Sequence, residues 1–312
     1  MVTDKLTVIF ILYPFNPGTN NMEKVYIYAL AANLSFAVGV QFFTHYARRI
    51  SSLWVNCFKA VVATALFALT IGFQGGFHGI SLHCAALFCV SGAVGLGLAD
   101  ICLIKAFSLM GPGRTMLLFG FQPLVIGVFS YFAFGQAVDL RKLTAILFFI
   151  VCLFIFSLES FKKHGHWNVK ASLFALCGIT LDALGVLITR YAFNNSPGIG
   201  TTEGNFYRAV GALALFAALS RLRPFHFVEK LRTLGGKHIL WITLGSVAGT
   251  YLSLMFYLTA IRYSGALAAI SGIAITGTIF SSAFECALER KLPSRYLAVS
   301  FVFFLAGMSF LF

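Results

Sequence analysis

Long apolar runs of about twenty residues alternate with short polar or glycine-bearing separators along almost the whole chain. A helix needs roughly 20 apolar residues to cross about 30 Å of hydrocarbon. Ten runs meet that length: about Val25–Tyr46, Leu53–Phe73, Cys84–Phe107, Thr115–Phe134, Leu143–Phe161, Val169–Phe193, Glu203–Leu222, Ile239–Ile261, Ala266–Leu288 and Tyr296–Phe312. The separators carry turn or charge signals, such as Arg48-Arg49, Gly111-Pro112-Gly113, Lys162-Lys163-His164 and Asn194 to Gly198. Backbone amides in lipid must be paired within the segment or across a closed barrel. The runs are continuously apolar and do not alternate, so they predict helices. The expected fold class is an all-α membrane protein with ten transmembrane helices.

Residues 1–21 stand apart. Leu6–Phe15 is too short to span, no small-residue cleavage site follows it, and Pro14, Pro17 and Gly18 break any helix. They read as a dispensable N-terminal extension, with Met22 a candidate start directly before the first span; a degenerate signal peptide is the alternative.

The pattern also repeats. Asn56–Leu69 aligns with Asn205–Ala218 at more than half of its positions, with Asn56 on Asn205 and Lys59 on Arg208. Thr44 to Ala47 recurs as Thr189 to Ala192, and Ala106 and Gly111 meet Ala260 and Gly265. Shared apolar composition would not keep an Asn and a cation in register. The chain therefore reads as two units of five spans, residues 22–161 and 162–312. An odd number of crossings per unit puts the second unit in the membrane upside down. Inverted repeats of this kind are a device of secondary transporters, with the site between the halves.

Composition agrees and adds one puzzle. The 312 residues are 59% apolar and 11% charged, too few polar groups to cover a water-facing surface. The formal charge of +13 does not point to nucleic acid, because no basic, aromatic-interleaved segment appears. Cytoplasmic loops of membrane proteins carry the Lys and Arg excess. Most of the 23 Lys and Arg fall on one side of the ten-span layout. Lys5, Lys24, Arg141, Lys142 and Arg262 fall on the other, and Lys59, Lys105, Arg190 and Arg208 lie within spans. That bias puts both termini outside the cytoplasm of a cell (inner) membrane. The seven cysteines form no CxxC pair, and the histidines have no metal-ligand spacing, so neither a disulfide framework nor a metal site is expected.

An ionisable side chain within a span costs about 2.5–3.5 kcal/mol on insertion scales, so each is a site candidate. Asp100 follows the glycine-rich Gly95-Leu96-Gly97-Leu98-Ala99, and Asp182 lies mid-span. Either protonates or binds a substrate amine in transport, or each is paired with Lys59, Arg208 or Arg190. They are not repeat equivalents: Asp182 aligns with Ala37 and Asp100 with Leu254. Lys59 and Arg208 are equivalent, and sit about six residues into their spans. They attract an anionic group, or they snorkel to the membrane edge and are structural. Asn33, Gln41 and Gln122 are neutral polar groups that line a cavity or bond helices together. Tyr131, Tyr251 and Tyr257 could add polar tips. Glu285 and Glu289 share a face ahead of Arg290 and Lys291, a pattern for surface pairing.

The repeat length, span count and order resemble the drug/metabolite transporter superfamily, EamA-domain branch. Lys59-Ala60 and Arg208-Ala209 match its second helix. Lys105-Ala106-Phe107 through Gly111, and Thr259-Ala260-Ile261 through Gly265, match the end of its third. Pro123 matches its fourth, where the second half has Gly277. Gly135-Gln136 and Leu288-Glu289 each keep one member of a typical Gly-Glu. The resemblance implies a secondary transporter for a small polar or amphipathic metabolite, amino-acid-like, working by alternating access and exporting it with proton coupling. It also implies a central cavity between the halves, which favours Asn33, Asp100, Gln122, Asp182 and Tyr257 as substrate-binding residues over Lys59 and Arg208. Many relatives keep both termini inside, opposite to the charge bias here. The alternatives are a passive facilitator or exchanger, an intramembrane enzyme on lipid-linked substrates, and a membrane sensor or scaffold. No HExxH, GxSxG, P-loop or Rossmann pattern is present. The expected partners are a small-molecule solute, protons and the lipid bilayer, with no cofactor and no nucleic acid, for a monomer or homodimer.

Overall fold

A computed structural model gives the fold. It describes residues 21–119, 169–263, 267–290, 292 and 294–310, with scattered positions between 121 and 162. Among the described residues the regular structure is entirely helical. In chain order the helices are α1 (Asn21–Arg49), α2 (Ser52–Phe73), α3 (Leu82–Met110), α4 (Pro112–Phe119), α5 (Val169–Asn194), α6 (Thr201–Leu222), α7 (Phe227–Thr233), α8 (Gly236–Tyr263), α9 (Leu267–Glu289) and α10 (Arg295–Ser309). α1, α2, α3, α5 and α8 are long and apolar enough to cross a membrane. The 22 residues of α2 rise about 33 Å, one hydrocarbon thickness. The chain is a multi-pass membrane protein.

Helix boundaries follow local chemistry. Ser51 starts α2 by accepting the Trp54 amide at 3.2 Å, and Ser81 starts α3 by accepting the Cys84 amide at 3.3 Å. Gly111, at φ 89°, ends α3. Glu203 caps α6 by accepting the Gly200 amide at 3.1 Å and reaches back to the His78 amide at 2.6 Å. The separator before α8 contains a feature that the apolar pattern does not announce. α7 is a short helix, and Trp54 anchors it by donating its indole N–H to the Phe227 carbonyl at 3.1 Å.

The first-half helices pack against second-half ones. α1 lies against α8 and α9, and α3 against α5 and α6. Without water to drive association, close helix approach relies on small residues. A Cβ on Gly92 would overlap the Arg208 carbonyl, and one on Gly211 would overlap the Cys89 carbonyl, so α3 and α6 meet backbone to backbone. Gly39 and Gly249 meet likewise between α1 and α8.

Both α3 and α8 widen mid-length into a π-helical stretch, at Ala93–Ala99 and Val247–Leu252. These stretches coincide in the alignment that matches Ala106 to Ala260. A π turn withdraws carbonyls from the ordinary ladder, and such turns recur at functional sites. Asn56 takes up two of these carbonyls, donating to Leu96 at 3.0 Å and Gly97 at 2.9 Å. Its counterpart Asn205 donates to the Leu254 carbonyl at 3.0 Å, just past the second stretch. The Oδ1 of both asparagines is buried without a partner.

Residues 1–20, Pro123, Tyr131, Gly135-Gln136 and most of the span predicted over 143–161 lie outside the described residues. Glu285, expected to pair at the surface, also makes a bond between helices. Its Oε2 accepts the Gly113 amide at 2.6 Å, so α9 caps the start of α4.

Candidate functional site

A cavity lies between α1, α2, α3, α4, α5 and α8. Its walls mix apolar and charged groups. Ala32, Asn33 and Phe36 come from α1, Lys59 from α2, and Leu96, Asp100 and Leu103 from α3. Met116 and Phe119 come from α4, Asp182 from α5, and Gly249, Thr250, Ser253, Leu254 and Tyr257 from α8. The π stretches help to shape it: Leu96, Gly249 and Thr250 belong to them.

Lys59 and Asp100 form a buried ion pair on one wall, with side chains 4% and 10% exposed. The Lys59 ammonium also sits 5.2 Å from the centre of the Phe43 ring. This bears on two alternatives left open by the residues alone. Lys59 does not snorkel to the membrane edge, and Asp100 has a cation of its own half as partner. A desolvated pair of this kind is held by mutual attraction against a large hydration loss.

Asp182 is held differently. The Gln122 amide donates to its Oδ2 at 2.6 Å, and Gln122 is itself buried. Gln122 thus supports the cavity through Asp182 without lining the wall. Asn33 donates to the Ala29 carbonyl of its own helix at 2.8 Å and lies beside Gly277 of α9. Tyr257 stands near Gln122, Asp182 and Arg208.

Arg208 is placed where its sequence position did not suggest. It is 1% exposed, and its Nε and Nη1 are buried without a hydrogen-bond partner. Its backbone is seated on Gly92, which fixes it deep in the bundle. Gly95 lies between it and Asp182. A Cβ there would be 3.4 Å from Arg208 Nη2 and 3.6 Å from Asp182 Oδ1. Among the described residues the two nonetheless form no ion pair. The structure therefore brings Asn33, Asp100, Asp182, Tyr257 and Lys59 to one cavity and sets Gln122 and Arg208 directly behind it.

Residues 23–158 match the EamA-like transporter family. The match lies within the first half of the repeat and covers less than half of the chain's length. The likeness of that stretch is to a family of membrane transporters. Among solved structures, one described only as a crystal structure of a protein is similar over 92% of this chain and 94% of its own, with a TM-score of 0.61. At 14% identity that likeness shows a shared fold. No curated protein matches the chain. Among the described residues no group of three or more His, Cys, Asp or Glu is arranged to hold a metal ion.

Proposed function

We propose that this protein is a secondary transporter for a small polar or amphipathic, amino-acid-like metabolite. It works by alternating access between two inverted five-helix repeats, residues 22–161 and 162–312. The single observation that carries the reading is the cavity itself. It lies between helices of the two halves, and a Lys, two Asp and a nearby Arg meet there inside an apolar bundle. Groups so costly to insert are retained where a solute or ion passes. The paired asparagines and paired π stretches support the repeat, since each half treats its third helix alike.

In this reading Asn33, Asp100, Gln122, Asp182 and Tyr257 form the solute site. Lys59 neutralises Asp100, so Asp182 is the carboxylate left to carry a proton. Its Oδ2 is held by a neutral amide, which can serve either protonation state. Export coupled to proton entry follows, across a cell (inner) membrane, with both termini outside the cytoplasm as the loop cations indicate. A reporter fused to the C-terminus and assayed in each compartment tests the orientation; cytoplasmic activity overturns it.

The test of function is flux in proteoliposomes across a metabolite panel, with and without a pH gradient. The expected result is gradient-dependent movement of one solute class, with the dependence on the gradient lost in Asp182→Asn. Gradient-driven flux intact in Asp182→Asn sinks the coupling scheme. If no solute moves, the transporter reading itself falls, and the intramembrane enzyme and scaffold readings gain.

A further inference from the structure

We infer that Arg208 is the anchor for a carboxylate carried by the transported solute. The inference rests on the transporter reading above and names the substrate class of that site: organic acids and amino acids with an apolar body.

The repeat supplies the first argument. Lys59 and Arg208 correspond, and so do Asp100 and Leu254. In the first half the cation meets its carboxylate, and Lys59 and Asp100 pair. In the second half the carboxylate position is Leu254, whose side chain is apolar and lines the cavity. The second half therefore keeps the cation of the pair and lacks its anion. Asp182 approaches from α5, but its Oδ2 is engaged by Gln122 and it stops short of an ion pair with Arg208.

The second argument is the guanidinium. A buried cation with Nε and Nη1 unpartnered is far more costly than a paired one. A guanidinium presents parallel N–H donors in a plane, matched to the two oxygens of a carboxylate. Gly95 carries no side chain where Arg208 Nη2 and Asp182 Oδ1 come near it, so nothing from that position covers either group. The third argument is the rest of the wall. Phe36, Leu103, Met116 and Phe119 offer an apolar surface to the remainder of such a solute.

Matched acid and amide pairs test this. L-leucine and L-leucinamide, L-phenylalanine and its amide, and 4-methylpentanoate and its amide are compared as competitors and as cargo in proteoliposomes. For the pairs recognised, the acid is expected to be favoured by at least about 100-fold, because a site built for a charged partner rejects the analogue lacking it. Arg208→Gln is expected to abolish that preference, and Arg208→Lys to weaken it about tenfold by losing the planar fork. Leu254→Asp guards against a misfolded Arg208 variant. It restores the missing carboxylate within the chain, so it should fold with an unchanged or higher melting temperature and lose acid recognition. Amides handled as well as acids, or acid preference surviving Arg208→Gln or Leu254→Asp, overturns the inference. Movement of neutral solutes or amines with exclusion of acids overturns it too, and leaves the transporter reading standing. Failure of every solute to move removes the transporter reading and this inference with it.

Discussion

Removing one member of the Lys59–Asp100 pair should cost more than removing both, and the two single losses should differ. Both side chains are shielded, at 4% and 10% exposure, so water cannot replace the lost partner. Stranding a buried charge costs about 3–5 kcal/mol. The residue left behind decides where in that range each variant falls. In Asp100→Leu the ammonium keeps the face of Phe43 at 5.2 Å, a contact worth about 0.5–2 kcal/mol. In Lys59→Met the Asp100 carboxylate has no other described hydrogen bond to fall back on. The expected losses are thus about 3 kcal/mol for Asp100→Leu and 4–5 kcal/mol for Lys59→Met. The double variant replaces the pair by apolar groups of similar size and should recover to within about 1 kcal/mol of the wild type. Reversible unfolding in mixed micelles, followed by circular dichroism, measures all three. Single losses below about 1 kcal/mol, or a double variant no better than Lys59→Met, would refute the buried-pair reasoning.

Three further outcomes follow from the packing. Gly92→Ala drives a methyl into the Arg208 carbonyl, a backbone atom that cannot swing aside, and should cost about 1–3 kcal/mol. Gly72→Ala meets nothing within 4 Å and should instead stabilise by about 0.5–1 kcal/mol, both read by thermal melting. Glu285→Ala removes the acceptor of the Gly113 amide and should lower stability by about 1 kcal/mol, with local amide exchange rising at the start of α4. Cys102 and Cys177 have sulfur atoms 4.0 Å apart across α3 and α5. A membrane-permeant oxidant should make both lose maleimide reactivity together, whereas loss of either alone would contradict their juxtaposition.

Much of this was legible in the residues. The described spans start and stop within a few residues of the apolar runs, because lipid leaves composition little freedom. Asp100 and Asp182 stood out for the same reason, and both line the cavity. Arg208 stood out beside Lys59 as an anion-attracting or structural cation, but its spacing from the start of its span suggested the membrane edge. What buries it is the contact of its backbone with Gly92, a packing term between distant helices that span-by-span reading cannot weigh. The glycines of Gly92-Ala93-Val94-Gly95-Leu96-Gly97 were the available signal, since each marks a place where something comes close. The π stretches were illegible for a related reason. Their polar partners come from other helices, with Asn56 on two carbonyls of the first stretch and Asn205 on the Leu254 carbonyl just past the second. Glu285 looked like a surface charge because one of its partners is a backbone amide, which no residue code reveals.

The central claim is that the cavity opens alternately to the two sides of the membrane. Ser253 lines it and is 7% exposed, so Ser253→Cys in an otherwise cysteine-free protein reports on it with little change in volume. Membrane-impermeant thiol reagents applied from each side of sealed vesicles make the measurement. Alternating access predicts labelling from both sides, slowed by the transported solute. Labelling from one side alone, under every gradient and solute condition, would contradict it.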